Sequence, residues 1–489
     1  MNSTTATLSP TELQHIRSQF PALVSADSQN DPLSGYVFAE NAGGSQVLSS
    51  VADSISSYLL TSNVQMAAYP LAKQAESRVS LGSCAAAALL GAPTPEDVMI
   101  GQSATSLVAS LGFMIEARVL SDRAEGKETW QEGDEIVLSD ADHETNRGAW
   151  TRMADRLGLK IEHWAVTPTP TAGENAFAVT LDPKVLAGLV TPKTKLVAFT
   201  ACSNLLGAFT DIPGAVAAVR AIAPEAIVAV DCVAFAPHRR VEPVKWGVDV
   251  AVFSLYKTYG AHVGAMYVKP RIKQTALKRL NHFFLQPPTS EIPGMYPFQT
   301  SSVQYELNHS IAPVADYLVS LGLGKEVRVD WNGVFSRPTS VFSPANLVEM
   351  TREEVDSAMD KAFGKIAGHE QTLLSQFIPP LLRYTSKGIK IVGPEESDST
   401  TRAPTVAFAV IDPNTGKPRV GTSKTIHTKL VQDGKVGAQQ GHMYAHKLVQ
   451  SLRLDLADGV VRLSFVHYNT EEEVRKVVGL LEKVFDDVL

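Results

Sequence analysis

The chain has 489 residues, 44% of them hydrophobic and 19% charged, which excludes a disordered tail and is too long for one compact core, so two lobes are expected. Its 44 Lys and Arg against 51 Asp and Glu leave a formal charge of −7, which repels nucleic acid and anionic membranes at long range. The three cysteines, Cys84, Cys202 and Cys232, are odd in number and lack metal-ligand spacing, so neither a disulfide framework nor a zinc ribbon fits. A reduced, cytoplasmic protein with no metal, nucleic-acid or membrane partner is the expectation. Met1 to Ala26 is Ser/Thr-rich without the apolar stretch of a signal peptide, and no run approaching the ~20 apolar residues of a membrane span is expected.

From about Gly44 to Tyr267, helix-like stretches alternate with short apolar runs, the rhythm of βαβ units and a mostly parallel sheet. The runs begin at Asp97, Glu135, Lys195, Ala226, Val248 and Gly264, and each is too short for a helix. Val51–Leu60 and Ser103–Ala117 carry helical spacing, and Asp211-Ile-Pro213 opens an Ala-rich helix to Ile222. Gln286–Gln299 holds four prolines and a glycine and reads as a functional loop. Beyond it come a long helix over Glu353–Phe377, strands near Ile389–Val392, Pro404–Val410 and Val460–Val466, and a closing helix over Glu471–Val488. These spans predict an α/β fold in three parts: an N-terminal segment, 1–45, a large domain, 46–335, and a smaller α+β C-terminal domain, 336–489.

Two strand ends carry the chemistry. Asp231 ends the run Val228-Ala-Val-Asp231, and Lys257 follows the run that closes at Phe253. Open α/β sheets bind ligands at the carboxyl ends of their strands. A desolvated lysine beside an aspartate there can form a Schiff base, with the aspartate paired to a pyridinium nitrogen. Taken alone, the two residues read more readily as a surface lysine and a turn carboxylate.

Their neighbours support more. Asn41-Ala-Gly-Gly-Ser-Gln46, Gly101-Gln-Ser-Ala-Thr-Ser106, Asp142-His-Glu-Thr-Asn-Arg-Gly-Ala-Trp150, Thr200-Ala-Cys-Ser-Asn-Leu-Leu-Gly207, Phe253-Ser-Leu-Tyr-Lys257 and Val461-Arg-Leu-Ser-Phe-Val-His467 occur in one order along nearly the whole chain. In this the sequence resembles the class V aminotransferases, the fold-type I pyridoxal phosphate group that contains the cysteine desulfurases. Together with Leu280-Asn-His-Phe-Phe284, the pattern is similar to a fungal desulfurase-like decarboxylative aldolase.

The resemblance implies a fold-type I pyridoxal phosphate-dependent transferase whose large domain holds a mostly parallel seven-stranded sheet. It implies pyridoxal 5'-phosphate as the cofactor, with Lys257 as the Schiff-base lysine and proton carrier, Asp231 as the partner of the ring nitrogen, and His143 stacked on the ring. Ser103, Ala104, Thr105, Ser254 and Tyr256 would hold the phosphate, with Ser302 of a neighbouring subunit, so a homodimer with shared sites is expected. Asn204 would lie near the cofactor or the substrate carboxylate. Asn41, Gly43 and Arg462 would bind substrate, the arginine forking onto the α-carboxylate.

Departures qualify the reaction. Desulfurases need a mobile small-lobe cysteine, and this chain has none after Cys232. Cys202 and Cys232 each follow a buried strand, where a cysteine is usually an inert hydrophobe. Ala201, Ala234 and Ser301 replace residues typical of the family. Gln439-Gln-Gly-His442-Met-Tyr-Ala-His446 occupies the desulfurase cysteine-loop region; His442 reads either as a substrate-selecting residue or as part of an ordinary helix start with exposed histidines.

The expected activity is on a small L-amino acid, through an external aldimine and a quinonoid or enamine. Side-chain decarboxylation or β-elimination, with carbon–carbon bond formation to an aldehyde or imine electrophile, would place the enzyme in specialised amino-acid metabolism. A cysteine desulfurase or C–S lyase, an aminotransferase and an inactive scaffold are the alternatives.

Overall fold

The computed structural model describes residues 7–29, 31, 33–280, 294–337 and 346–489. Most of the expected loop 286–299, and residues 281–284 of the Leu280–Phe284 motif, lie outside them.

Seven strands form the large sheet: β1 Val98–Gly101, β2 Glu135–Ser139, β3 Lys160–Trp164, β4 Thr194–Thr200, β5 Ile227–Asp231, β6 Val250–Ser254 and β7 Gly264–Val268, in the spatial order β1-β7-β6-β5-β4-β2-β3. The pairings from β3 through β2, β4 and β5 to β6 are parallel, and β7 runs antiparallel to both β6 and β1. The central strands are apolar at nearly every position because helices cover both faces. Within them the side chains alternate: Val228 and Val230 join one core cluster, while Ile227 and Ala229 join the other.

That topology positions the site. Because β1 runs parallel to β6, the carboxyl ends of β1, β2, β4, β5 and β6 all open on one edge of the sheet. The segments bearing Ser103, His143, Asn204, Asp231 and Lys257 leave from those five ends.

The helix Ala104–Ala124 starts from β1 with Ser103 as its N-cap. It has 21 residues, and an 18-residue window of it reaches a mean hydropathy of 1.3, long and apolar enough by length and composition alone to cross a membrane, contrary to the expectation that no run would be. Leu107, Leu111, Met114 and Ile115 of this helix pack into the core on one face of the large sheet.

A second, antiparallel sheet has the order β8-β9-β11-β10, with β8 Ile389–Val392, β9 Thr405–Val410, β10 Gln439–Gly441 and β11 Val460–Ser464. The helices Arg352–Leu382 and Glu471–Val488 pack on it, each begun by a capping box, Thr351/Glu354 and Thr470/Glu473. The N-terminal segment crosses to this lobe. Val37–Phe38 pairs in parallel with Val436–Gly437, and Glu40 bridges to Ser464 at the end of β11.

Gly322 marks a close helix crossing. A Cβ there would lie 1.8 Å from the Ala358 carbonyl oxygen, so the helices Ile311–Leu323 and Arg352–Leu382 touch backbone to backbone. Gly322→Ala is expected to destabilise the protein by about 1–3 kcal/mol by forcing these helices apart. The measurement is a lower denaturant midpoint at unchanged m value. A superimposable unfolding curve would show that the crossing yields without cost.

Candidate active site

The sheet edge opens into a pocket lined by Ser103, Ala104, Thr105, His143, Asn204, Asp231, Ser254, Tyr256 and Lys257. Thr145, Thr200, Cys202, Val233 and Ala234 complete the lining, and of these Thr145, Thr200 and Val233 were not singled out in the sequence. Their only signal was position, one near His143, one at the end of a strand and one just after Asp231.

Lys257 ends the 3-10 turn Leu255–Lys257 directly after β6. It is buried, and among the described residues its amine forms no ion pair. Burial lowers its pKa from 10.5 to about 8; the charge of Arg462 adds to the shift, and Asp231 and Glu40 oppose it. The backbone beyond the lysine is held by the N-terminal segment. Ser45 donates its amide to the Tyr256 carbonyl at 3.0 Å, and its hydroxyl accepts the Tyr259 amide at 2.8 Å. Tyr259 takes a left-handed φ of 64°, costly for a non-glycine residue, and its hydroxyl is anchored on the Pro237 carbonyl at 2.8 Å.

Asp231 is also buried. One oxygen accepts the Val233 amide at 2.8 Å, and burial raises its pKa against the opposing pull of that hydrogen bond and of Lys257. Its neighbour Asp142 is raised to about 8, chiefly by burial. With both of its oxygens taken, by Ser139 and Asn146, Asp142 offers no free acceptor, and Asp231 is the carboxylate of the two that lines the pocket. Asp142 is instead structural. It accepts from Asn146 at 2.9 Å, Asn146 accepts from Trp150 at 3.2 Å, and this chain fixes the turn that presents His143. His143 Nδ1 accepts the Thr145 amide at 3.1 Å, which assigns the ring proton to Nε2. Burial, with Lys257 and Arg462 nearby, lowers its pKa to about 4, so the ring is neutral at working pH.

The anion-binding end is made by the helix Ala104–Ala124. Its first amide, Ala104 N, donates to the Ser254 hydroxyl at 2.9 Å, and Thr105 and Thr145 hydroxyls meet at 3.1 Å. The positive helix end favours an anion here. Tyr256 stacks face to face on His262 at 4.8 Å. Ser302 is exposed and lines a separate hollow with Gln102 and Ser106.

The small lobe closes the other side. Arg462 is buried on β11 and donates from Nη1 to the Asn204 carbonyl at 2.9 Å. Its Nη2 is paired with Glu40, a residue that the sequence reading passed over although it directly precedes the Asn41 motif. Asn41 lies outside the pocket lining. Its amide donates to the Ser464 carbonyl at 2.8 Å and to Asn469 at 3.2 Å and accepts from Tyr468, so it staples the N-terminal segment to the small lobe. Gly43 stands beside the Glu40 carboxylate, also outside the lining.

His442 is half-buried in the turn between β10 and the helix His446–Ser451, not at an exposed helix start. Met443 and Tyr444 take left-handed φ of 42° and 59° in that turn. Asn204 donates to the Met443 carbonyl at 2.9 Å, the Glu144 amide donates to the Tyr444 carbonyl at 2.8 Å, and the Tyr444 ring lies 5.3 Å from that of His143. The turn is thus docked against the pocket.

All three cysteines are buried. Burial pushes the Cys84 and Cys202 thiols up to about 12 and the Cys232 thiol well above its ordinary value, so none supplies a thiolate at neutral pH.

Residues 37–284 match the family model for aminotransferase class V. The aminotransferase-like protein FGM3 of Gibberella zeae is 32% identical, over 96% of this chain and 98% of its own. The cysteine desulfurase-like protein ustD of Aspergillus flavus is 25% identical, over 97% of this chain and 90% of its own. Among solved structures, the apo cysteine desulfurase of Thermococcus onnurineus NA1 shares the fold with a TM-score of 0.72 at 17% identity, covering 99% of this chain and 100% of that one.

Proposed function

The chain belongs to the class V aminotransferase family of pyridoxal phosphate-dependent enzymes, and from that premise we propose that it acts on a small L-amino acid by side-chain decarboxylation or β-elimination, with carbon–carbon bond formation to an aldehyde or imine electrophile. The observation that carries this reading is Lys257, a buried amine lowered to about 8 at the end of one strand, beside the Asp231 carboxylate at the end of the next.

The residues fit pyridoxal phosphate. Asn204 Oδ1 and Arg462 Nε are buried without a hydrogen-bond partner, so the site holds polar atoms that a polar ligand would satisfy. The helix end at Ser103, Ala104 and Thr105, with the Ser254 hydroxyl and Tyr256, would bind the phosphate, and Asp231 would keep a proton on the ring nitrogen. Neutral His143 would pack on the ring without placing a second cation beside Lys257. When bound, the cofactor supplies an electron sink for charge developing on substrate carbon. Lys257, largely able to shed its proton near pH 8, would hold the aldehyde and then move the Cα proton. Arg462 would orient the substrate carboxylate. Ser302, with its exposed hydroxyl, would reach the neighbouring phosphate site in a homodimer.

The cysteines favour carbon chemistry over sulfur transfer. No cysteine follows Cys232, and each of the three has a thiol pushed up by burial, so a persulfide carrier is missing. The test is to give the cofactor-loaded protein aspartate, cysteine and alanine in turn. Carbon dioxide from aspartate supports the reading. Sulfide from cysteine as the main product replaces it with C–S lyase or desulfurase chemistry, and release of pyridoxamine phosphate replaces it with transamination.

A pH prediction follows from the lysine. The unprotonated amine is the nucleophile, and its pKa is lowered from 10.5 to about 8. Covalent uptake of pyridoxal phosphate by the apoprotein should therefore rise through pH 8 and level off near pH 9. Absorbance of the attached cofactor reads this directly. A profile still climbing past pH 10 would mean that Lys257 behaves as an exposed lysine.

A further inference from the structure

Arg462 has a carboxylate partner within the chain. The Glu40 carboxylate pairs with Nη2, and Nη1 is committed to the Asn204 carbonyl at 2.9 Å. Nε is buried with no partner. The Nε–Nη2 edge is the one a carboxylate takes with two parallel hydrogen bonds. Glu40 thus lies across half of the edge that an incoming carboxylate needs.

The placement is built into the backbone. Glu40 bridges to Ser464, its carbonyl accepts the Gly43 amide at 3.0 Å, and Asn41 staples the next residue to the small lobe, so the main chain is fixed while the side chain can turn. The carboxylate folds back over Gly43, where a Cβ would lie 1.9 Å from Oε2; only glycine leaves that space. Arg462 is 2% exposed and Glu40 is 19% exposed, so the carboxylate has a path toward water and the guanidinium has none. Both charges are felt at the reacting lysine, Arg462 lowering the Lys257 pKa and Glu40 raising it.

We propose that Glu40 is a built-in competitor for Arg462 that the carboxylate of an incoming α-amino acid displaces, which makes it the residue that sets the site's affinity for carboxylates. The inference rests on the reading of Arg462 as the group that takes the substrate carboxylate. A ligand with a carboxylate can replace what Glu40 gives up, and the partly exposed Glu40 side chain then turns to solvent. An amine without a carboxylate leaves the pair intact and gains nothing from Arg462. The pair therefore raises the KM of substrates that carry the acid and leaves the binding of amines that lack it unaffected.

The experiment uses the cofactor-loaded full-length protein and propionate, a carboxylate without an amine, titrated calorimetrically. Glu40→Gln is expected to bind propionate roughly tenfold more tightly than the parent and to lower the KM for the amino acid, because the competing charge is gone. Ethylamine affinity should not change. Propionate affinity that is unchanged or weaker in E40Q overturns the proposal. Should E40Q fail to fold, Gly43→Ala carries the test by the same criterion, since its Cβ expels the Glu40 carboxylate without removing the charge. Cofactor attachment at Lys257, read by borohydride fixation and absorbance, is scored separately. Its absence would sink the proposed function, whereas the propionate titration judges the Glu40–Arg462 competition.

Discussion

Replacing Lys257 with alanine is expected to lower turnover by roughly 10⁴-fold and to leave no cofactor fixed by borohydride. The site gives the amine two tasks, holding the aldehyde and moving the Cα proton, and among the described residues no other lysine lines the pocket. Removing it should not harm the fold. The side chain is buried, its amine has no ion-pair partner among the described residues, and an alanine leaves no carboxylate newly orphaned in a salt bridge. The linkage has a definite sign. A lysine whose folded pKa is about 8 against 10.5 when unfolded binds fewer protons in the native state between those values. Native stability therefore rises with pH through that window, and the full cost of the buried amine is present below pH 8. K257A should be at least as stable as its parent at pH 7, which thermal unfolding can check. Retained turnover, or cofactor still fixed to the protein, would move the site away from this residue.

The second large effect belongs to Asp231. Asp231→Asn is expected to reduce kcat by roughly 10²–10³-fold, the scale of losing one preorganised electrostatic partner, while cofactor still attaches at Lys257. Asparagine keeps the shape and can still accept the Val233 amide, so the loss isolates the charge. The buried neighbour Asp142 is no substitute, because burial raises it to about 8 and its oxygens are taken by Ser139 and Asn146. The substitution also removes a charge that raises the Lys257 pKa, so the pH at which uptake of pyridoxal phosphate reaches half its plateau should move down. A D231N enzyme with the parent's kcat would show that the ring nitrogen needs no anion here. The pair of variants separates two tasks: K257A loses attachment and turnover together, D231N loses turnover alone.

The central strands and the residues at their ends were legible from the sequence by itself. Runs such as Ile227–Asp231 and Val250–Ser254 are apolar at almost every position because both faces are covered, and that signal is local. The capped helix starts at Ser103 and Asp211 were equally local, since a cap involves only residues within one turn. The edge strand Lys160–Trp164 was missed because its pattern, Lys-Ile-Glu-His-Trp, is too polar to read as a buried run. The 20-residue helix Pro70–Leu89 was missed because its Ala-rich second half carries little amphipathic contrast.

What only the tertiary structure decided are contacts between residues far apart in the chain. Arg462 was read as needing an anion, but its partner Glu40 lies 422 residues away and meets it only because the N-terminal segment crosses to the end of β11. Asn41 was read as lining the substrate site and instead has its amide taken by Ser464 and Asn469. The docking of the His442–Tyr444 turn onto His143 and Asn204 likewise joins three separate segments. Periodicity and capping act over a few residues and write themselves into the local sequence. Which carboxylate faces which guanidinium depends on how strands 400 residues apart are set side by side, and that is fixed by packing alone.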